Sequence, residues 1–367
     1  MNRRGNRRVA GAIAIAALVA MVAPRVLPAA PIKIGAILVL SGNAVVQGQM
    51  MRDGLQLAAD ELNGRGGLNG KRIELIFEDS KSDPQVAVNA FNRIEAAHTP
   101  LFYIIHSSAI CMALAPLAEE KNVVLMGIST STKEVTRGRE WTFRYWPLGQ
   151  AYIPTLMLIA KDLKVRKLGI LYQDDAFGKE QQQLMSKEFE SVGGSVSSEL
   201  VKMTDTDFLP KIAQLKGMEA IYIACAGDIQ LGVLRQLKES GYRGQILSSG
   251  FAYQPTLFSL PEANKIYLTA PIIYNPNYLF AKELGEKFDS RYKKKLDVSA
   301  AVGYDLIKLF AGLLEERQVS RPSVRDILLG GFEYSGAVGH VRLKSGEHDL
   351  TFPVYPAQVQ NGSLKYR

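Results

Sequence analysis

Side chains suited to redox, metal or acid–base work are scarce in this sequence: 367 residues hold two cysteines, Cys111 and Cys225, and four histidines, His98, His106, His340 and His348. The histidines stand in no H-E-x-x-H pattern, no G-x-S-x-G turn is present, and neither Ser107 nor Ser108 has an identifiable base, so nothing points to an enzyme. No cluster has metal-ligand spacing and no phosphate-cradling loop occurs, so neither a metal nor a cofactor is expected. The glycine-rich GRGGLNG stretch at 64–70 follows a helical pattern and precedes a strand, the wrong order for a dinucleotide fingerprint. The two cysteines lie far apart, on the reading below in different lobes that a bridge would lock. They are expected to be small buried residues, although an exported protein is permitted a disulfide.

Excess charge and long apolar runs are limited too. The formal net charge is +8, but the first thirty residues carry five arginines and no acid, which leaves +3 for the remainder. That is too little for a nucleic-acid binder, and no basic face interleaved with aromatics appears. The apolar run from Val9 to Ala23 is shorter than the roughly 20 residues a spanning helix needs. It follows Arg3, Arg4, Arg7 and Arg8 and precedes Pro24 and small residues around Ala29 and Ala30. This is the layout of a secretory signal peptide, so residues 1–30 are read as a leader that exports the chain. There is no residue-level repeat and no low-complexity tract beyond the leader. What is present, with 47% hydrophobic and 22% charged residues, is a globular chain long enough for two cores.

Hydrophobic period organises those cores. The β-rich IKIGAILV run (32–39) is followed by Met51, Leu55, Ala58 and Leu62, spaced as one face of a helix that stops at Asn63–Gly64. RIELIFED (72–79) alternates as a strand, and Asp83–Pro84 supplies an N-cap and first-turn proline for a helix facing inward through Ala87, Phe91 and Ile94. LFYIIH (101–106), VVLMGI (123–128) and WTFRYW (141–146) complete a first series. A second runs through KLGILY (167–172), SVSSELV (195–201), EAIYIA (219–224) and QILSS (245–249), with one helix capped near Asp207. Two longer helices follow, one carrying Phe280, Leu284 and Phe288, the other Val302, Leu306, Leu309 and Leu313. Such alternation predicts an α/β protein of two lobes, each a doubly wound parallel sheet covered on both faces.

In open sheets of this kind ligands bind beyond the carboxyl ends of the strands, where the winding reverses. With a 2-1-3 strand order, the LSGNAVVQG stretch (40–48) and the HSSAI stretch (106–110) face one crevice. A serine there either caps the helix or offers hydroxyl and amide donors, at the positive end of the dipole, to a carboxylate or phosphate.

The quoted opening, IKIGAILVLSGNAVVQGQMMRDGLQLAADELNGRGGLNGKRIELIFEDSKSDPQVA, resembles that of the periplasmic solute-binding proteins of branched-chain amino acid ABC importers, the leucine/isoleucine/valine-binding family. The likeness continues through SSAICMALAPLAEE, STSTKEVT, FRYWP, LYQDDAFGKE, TDTDFLPKIAQLK, LRQLKESGY and AAVGYDLIKLF. It implies a type I periplasmic binding fold with crossovers near residues 148, 274 and 350. Lobe 1 would comprise 31–148 plus 275–349, and lobe 2 would comprise 149–274 plus 350–367. It further implies a periplasmic monomer that traps a small carboxylate-bearing solute by hinge closure and delivers it to an inner-membrane ABC permease, with no bond made or broken and no nucleic acid involved. A two-lobed extracytoplasmic sensor for amides or organic acids would share this fold and pocket.

Carried over residue by residue, the family's carboxylate-binding serine matches Ser108, and Ser129 and Ser131 match the residues that hold the ligand's polar end. Gln47 stands where a pocket aromatic is frequent, and Phe177 replaces a second-lobe tyrosine. Three departures bear on the ligand: the acid that holds an α-ammonium falls at Gly250, another pocket tyrosine at Ala226 and an aspartate at Gly149. A buried ammonium without a counter-charge is costly, which favours an amine-free acid, aliphatic or aromatic, among His106, Tyr145, Trp146, Phe177 and Tyr253. Asp228 is the residue that would restore the amino acid reading.

Overall fold

Each β-rich run followed by a 3.6-period segment becomes a strand and a covering helix in the computed structural model, which describes residues 29–42, 44–249 and 255–367. The leader expected at 1–30 lies outside the described residues except for its last two. The first series is β1 (Ile32–Leu38), α1 (Val45–Gly64), β2 (Ile73–Asp79), α2 (Pro84–His98), β3 (Phe102–His106), α3 (Ser108–Lys121), β4 (Val124–Ile128) and β5 (Thr142–Arg144). Its strands are parallel in the order β2-β1-β3-β4-β5, so the winding reverses between β1 and β3. The Asp83 carboxylate caps α2 by accepting the Gln85 and Val86 N–H groups at 2.7 and 3.0 Å.

The second series is α4 (Tyr152–Asp162), β6 (Lys167–Gln173), α5 (Ala176–Ser191), β7 (Ser195–Val201), α6 (Leu209–Gln214), β8 (Ala220–Ala224), α7 (Gly227–Glu239), β9 (Gln245–Ser248), α8 (Pro255–Phe258) and β10 (Tyr267–Ala270). The chain then returns to the first sheet as α9 (Leu279–Tyr292), α10 (Val298–Leu314), α11 (Arg321–Leu329) and the hairpin of β11 (Phe332–Gly336) and β12 (Gly339–Leu343). It ends on the second sheet with β13 (Tyr355–Gln360) and β14 (Ser363–Tyr366). Among the described residues the chain thus passes between the sheets at 145–151, 271–278 and 344–354.

Two expectations are corrected. The second sheet is mixed: in the order β14-β13-β10-β9-β8-β6-β7 its core strands are parallel, but β13 pairs antiparallel with both β10 and β14. The Asn361–Gly362 turn, with φ of 50° and 77°, is a tight hairpin that makes β13 and β14 run oppositely. Strand β13 enters on the β10 edge after the third passage, with no helix covering this sheet between them to make the pair parallel. Phe280 is 53% exposed, and the inward stripe of α9 is Ala281, Leu284 and Phe288. Steps of three and four keep that stripe on one face, whereas Phe280, Leu284 and Phe288 would need two steps of four.

The returning helices seal the first lobe. Gly54 of α1 sits so close to α10 that a Cβ on it would lie 2.0 Å from the Ala300 carbonyl oxygen, so only glycine permits this crossing. Phe102 and Phe310 stack at 4.0 Å, and Arg321 binds Glu95 at 2.8 Å. The buried Asp305 carboxylate accepts the Ala337 and Val338 N–H groups at 3.0 and 2.9 Å, which fixes the β11–β12 turn on α10. Cys111 and Cys225 are free and buried. No helix among the described residues is long and apolar enough to cross a membrane.

Candidate functional site

At the carboxyl ends of both sheets lies a cavity of about 250 Å³. The first lobe contributes Val39, Ala44 and Gln47 around the β1–α1 turn, Ser82 after β2, His106 to Ala109 at the β3–α3 turn, and Ser129 and Ser131 after β4. The second contributes Gln173 to Phe177 about the β6–α5 turn except Asp174, then Met203, and Ala226 and Gly227 at the start of α7.

These turns are sharp. Ala44, Ser82, Ser107 and Ser129 have φ of 69°, 59°, 82° and 52°, conformations that side chains other than glycine adopt at a cost of about 1–3 kcal/mol each. Surrounding bonds hold them there. Asp79 accepts the Leu40 and Ser41 N–H groups at 2.9 and 3.2 Å and the Ser41 hydroxyl at 2.5 Å. Burial of that carboxyl is outweighed by these bonds, so it stays below the usual range.

Ser107 is the N-cap of α3, its Oγ accepting the Ile110 N–H at 3.5 Å, while Ser108 is the first helical residue. Capping and ligand contact therefore need not compete for one hydroxyl. Ser131, a residue of the cavity lining, is 0% exposed, and its Oγ is buried and has no hydrogen-bond partner among the described residues. A buried hydroxyl left bare costs about 1–3 kcal/mol, a deficit a bound acceptor removes. The loop carrying Ser129 and Ser131 is set by Arg144, itself fully buried: Nη1 donates to the Thr130 and Thr132 carbonyls at 2.9 and 2.7 Å, Nη2 to Thr136 Oγ1 at 3.1 Å, and Nε to Asp349 Oδ1 at 2.9 Å. Asp349 belongs to the third passage between the sheets, so ligand loop and hinge share one ion pair.

His106 is buried, which pulls its imidazole down to about 4, and its Nδ1 accepts the Val39 N–H at 3.4 Å. It is thus neutral, with the proton on Nε2, a donor rather than a cation. On the facing lobe, Gln173 Nε2 donates to Asp175 Oδ2 at 2.8 Å and Gln173 Oε1 accepts the Ala226 N–H at 3.1 Å. Asp175 Oδ1 caps α5 through the Gly178 N–H at 2.7 Å. Nearer the hinge, burial, then the charge of Glu134 on the opposite lobe, push Glu180 of α5 up to about 7, against the pull of Arg144 and Lys133.

Six expected residues, Gln47, His106, Ser108, Ser129, Ser131 and Phe177, thus meet at one cavity. Trp146 does not. It is 2% exposed and packed in the hydrophobic core where the first passage begins, because the chain has already left the strand end by that point. Tyr145 is likewise core, edge-on to Phe352 at 5.0 Å. Asp228 is exposed on the first turn of α7 and not on the cavity wall. At Gly149 a Cβ would meet the side-chain ends of Gln181 and Glu180 at 2.6 and 2.7 Å, so an aspartate there would require those two side chains to move. Tyr253 and Gly250 lie outside the described residues. Sequence reasoning missed Asp175, Gln173 and Met203, though the strand-end rule that selected Ser108 applies equally to the turn after KLGILYQ.

The sequence model of a family described as periplasmic binding protein matches residues 31–363. A Leu/Ile/Val-binding protein homologue of Brucella suis is 24% identical over 313 residues, 80% of this chain and 77% of the relative. Among solved structures, a leucine-binding protein of Thermotoga maritima superposes with a TM-score of 0.84 at 23% identity, covering 92% of this chain and 97% of its own. A solute-binding protein of an ABC transporter from Rhodopseudomonas palustris, in complex with 3,4-dihydroxybenzoic acid, gives a TM-score of 0.83 at 19% identity over 92% and 95%.

Proposed function

The chain belongs to the periplasmic binding protein family, a family of solute carriers and not of enzymes, and from that premise we propose that it is the substrate-binding component of an ABC importer of the branched-chain amino acid type. It traps a small carboxylate-bearing solute between two lobes, 31–148 plus 275–349 and 149–274 plus 350–367, and hands it to an inner-membrane permease. On this reading the leader brings the chain to the periplasm, where it works as a monomer.

The observation that carries the reading is a cavity lined by Ser108, Ser129 and Ser131 at the N-terminus of α3, with the buried Ser131 hydroxyl lacking a hydrogen-bond partner among the described residues. Hydroxyls and helix N–H groups favour an anion without any cation on the wall. Neutral His106 adds a further donor. Closure about the three passages removes water from these groups and strengthens each bond to the guest. No covalent step is involved; the energy of transport is spent at the permease. The relatives' names span leucine and a dihydroxybenzoic acid, so the guest is an amino acid or an amine-free aliphatic or aromatic acid.

A thermal-shift screen of branched-chain amino acids and amine-free acids tests this. A ligand held only by the folded state at a hundred times its Kd adds about 2.7 kcal/mol of stability. A melting temperature indifferent to every carboxylate in such a screen refutes the proposal.

A further inference from the structure

Asp175 is the one charged side chain among the described residues that line the cavity. It is rigidly placed. Gly178 donates to one carboxylate oxygen and Gln173 to the other, and Gln173, 3% exposed, is itself fixed on the Ala226 N–H. The Phe177 backbone N–H also bonds this carboxylate. A carboxylate accepts about four donors, so one acceptor position is left for a guest. Burial holds this carboxyl above its usual range despite those bonds. Lys179, the nearest cation to pull it back, is exposed and paired with Asp174 at 2.6 Å. The first-lobe wall opposite offers Ser108, Ser131 and His106, all uncharged.

A guest whose carboxylate is held by that wall therefore brings a second negative charge into a space of about 250 Å³ with Asp175. The two anions repel unless the guest itself places a donor between them. Resting on the carboxylate-binding reading, we propose that Asp175 selects the solute: its carboxylate lies toward Ser108 and Ser131 and an ammonium or hydroxyl donor lies toward Asp175, while acids ending there in bare hydrocarbon or in a second carboxylate are rejected.

The test is calorimetric titration of the whole exported chain with matched pairs, leucine against 4-methylpentanoate and 4-hydroxybenzoate against benzoate, plus succinate. Each pair differs by one donor. The expected result is that the donor-bearing member of one pair binds tenfold or more tighter than its partner, and that succinate does not bind. Asp175→Asn keeps the α5 cap through its one oxygen, since asparagine caps as well as aspartate, but sets its NH2 against the Gln173 amide nitrogen. It is expected to shrink that preference at least threefold with a small fall in melting temperature. The pair that responds identifies the donor as ammonium or hydroxyl. Equal affinities within both pairs in the wild type, tight binding of succinate, or an equal loss for all acids in Asp175→Asn would overturn the inference and leave Asp175 a helix cap. Ser131→Ala separates the two levels of the reading. Acids that bind, weaken in Ser131→Ala and ignore Asp175 sink only the selection by Asp175. If none of the five acids binds, the carboxylate reading falls and the role of Asp175 with it.

Discussion

The two walls of the cleft are built on opposite plans. The first-lobe wall is neutral and strained: serine hydroxyls, a neutral imidazole, a helix N-terminus and four non-glycine residues at positive φ. Among the described residues the second-lobe wall has a single fixed carboxylate, an amide locked on both sides, and the apolar Phe177 and Met203. The difference teaches a division of labour. On the reading proposed above, the strained backbone of the first wall would grip the carboxylate that the ligands share, and the one charge beside apolar side chains on the second would tell ligands apart.

Breaking the gripping wall at its root has the largest expected effect. Arg144→Met leaves the Thr130 and Thr132 carbonyls without this donor and Asp349, partly exposed, with only the Thr136 hydroxyl at 2.8 Å, and denaturant unfolding is expected to show a loss of about 3 kcal/mol. Ser131→Ala attacks the same wall without touching the fold: since its hydroxyl has no partner among the described residues, stability should hold while ligand affinity falls by about 1.5–3 kcal/mol, measured by titration. An unchanged affinity would make Ser131 mere filling.

The rim where the walls meet should respond to pH. Glu180, pushed up to about 7, keeps a proton in the folded chain that the unfolded chain has already released. Stability therefore falls as pH rises from the ordinary glutamate range to about 7 and is level above it. Burial also pushes Asp297 and Asp305 up to about 7, so they share this slope. After allowance for solvent screening the Glu180 part is on the order of 1 kcal/mol, and Glu180→Gln is expected to make the curve shallower by that amount, without flattening it, in a melting series between pH 5 and 8. The smallest effect is at Ser107. Glycine there loses a weak cap but relieves φ of 82°, so Ser107→Gly should raise stability by about 0.5 kcal/mol.

The contrast between the walls also marks how far the sequence could be read. The β1, β3 and β4 turns were legible because small hydroxyl residues at strand ends stand out against apolar runs, and Asp83–Pro84 announces its helix. Asp175 was hidden because an acid before a helix reads as a cap, which it also is, and its place on the cavity depends on first-lobe turns remote from it in sequence. Trp146 misled for the opposite reason: an aromatic at a passage between sheets is as well suited to a core as to a pocket. The antiparallel edge went unread although Asn361–Gly362 carries its turn signal, since the parallel alternation before it set the expectation.

The last elements of the chain finish what the first ones begin. The first lobe is sealed by α10 and the β11–β12 hairpin, and the edge of the second sheet is laid down by β13 and β14. A chain made from its N-terminal end has all five strands of the first sheet by Arg144 but must wait for α10, which starts at Val298, and for the hairpin after it before that lobe is sealed. The second sheet, whose parallel strands follow one another from Lys167 to Ala270, has no such wait for its centre, so the lobe begun first is the one finished late.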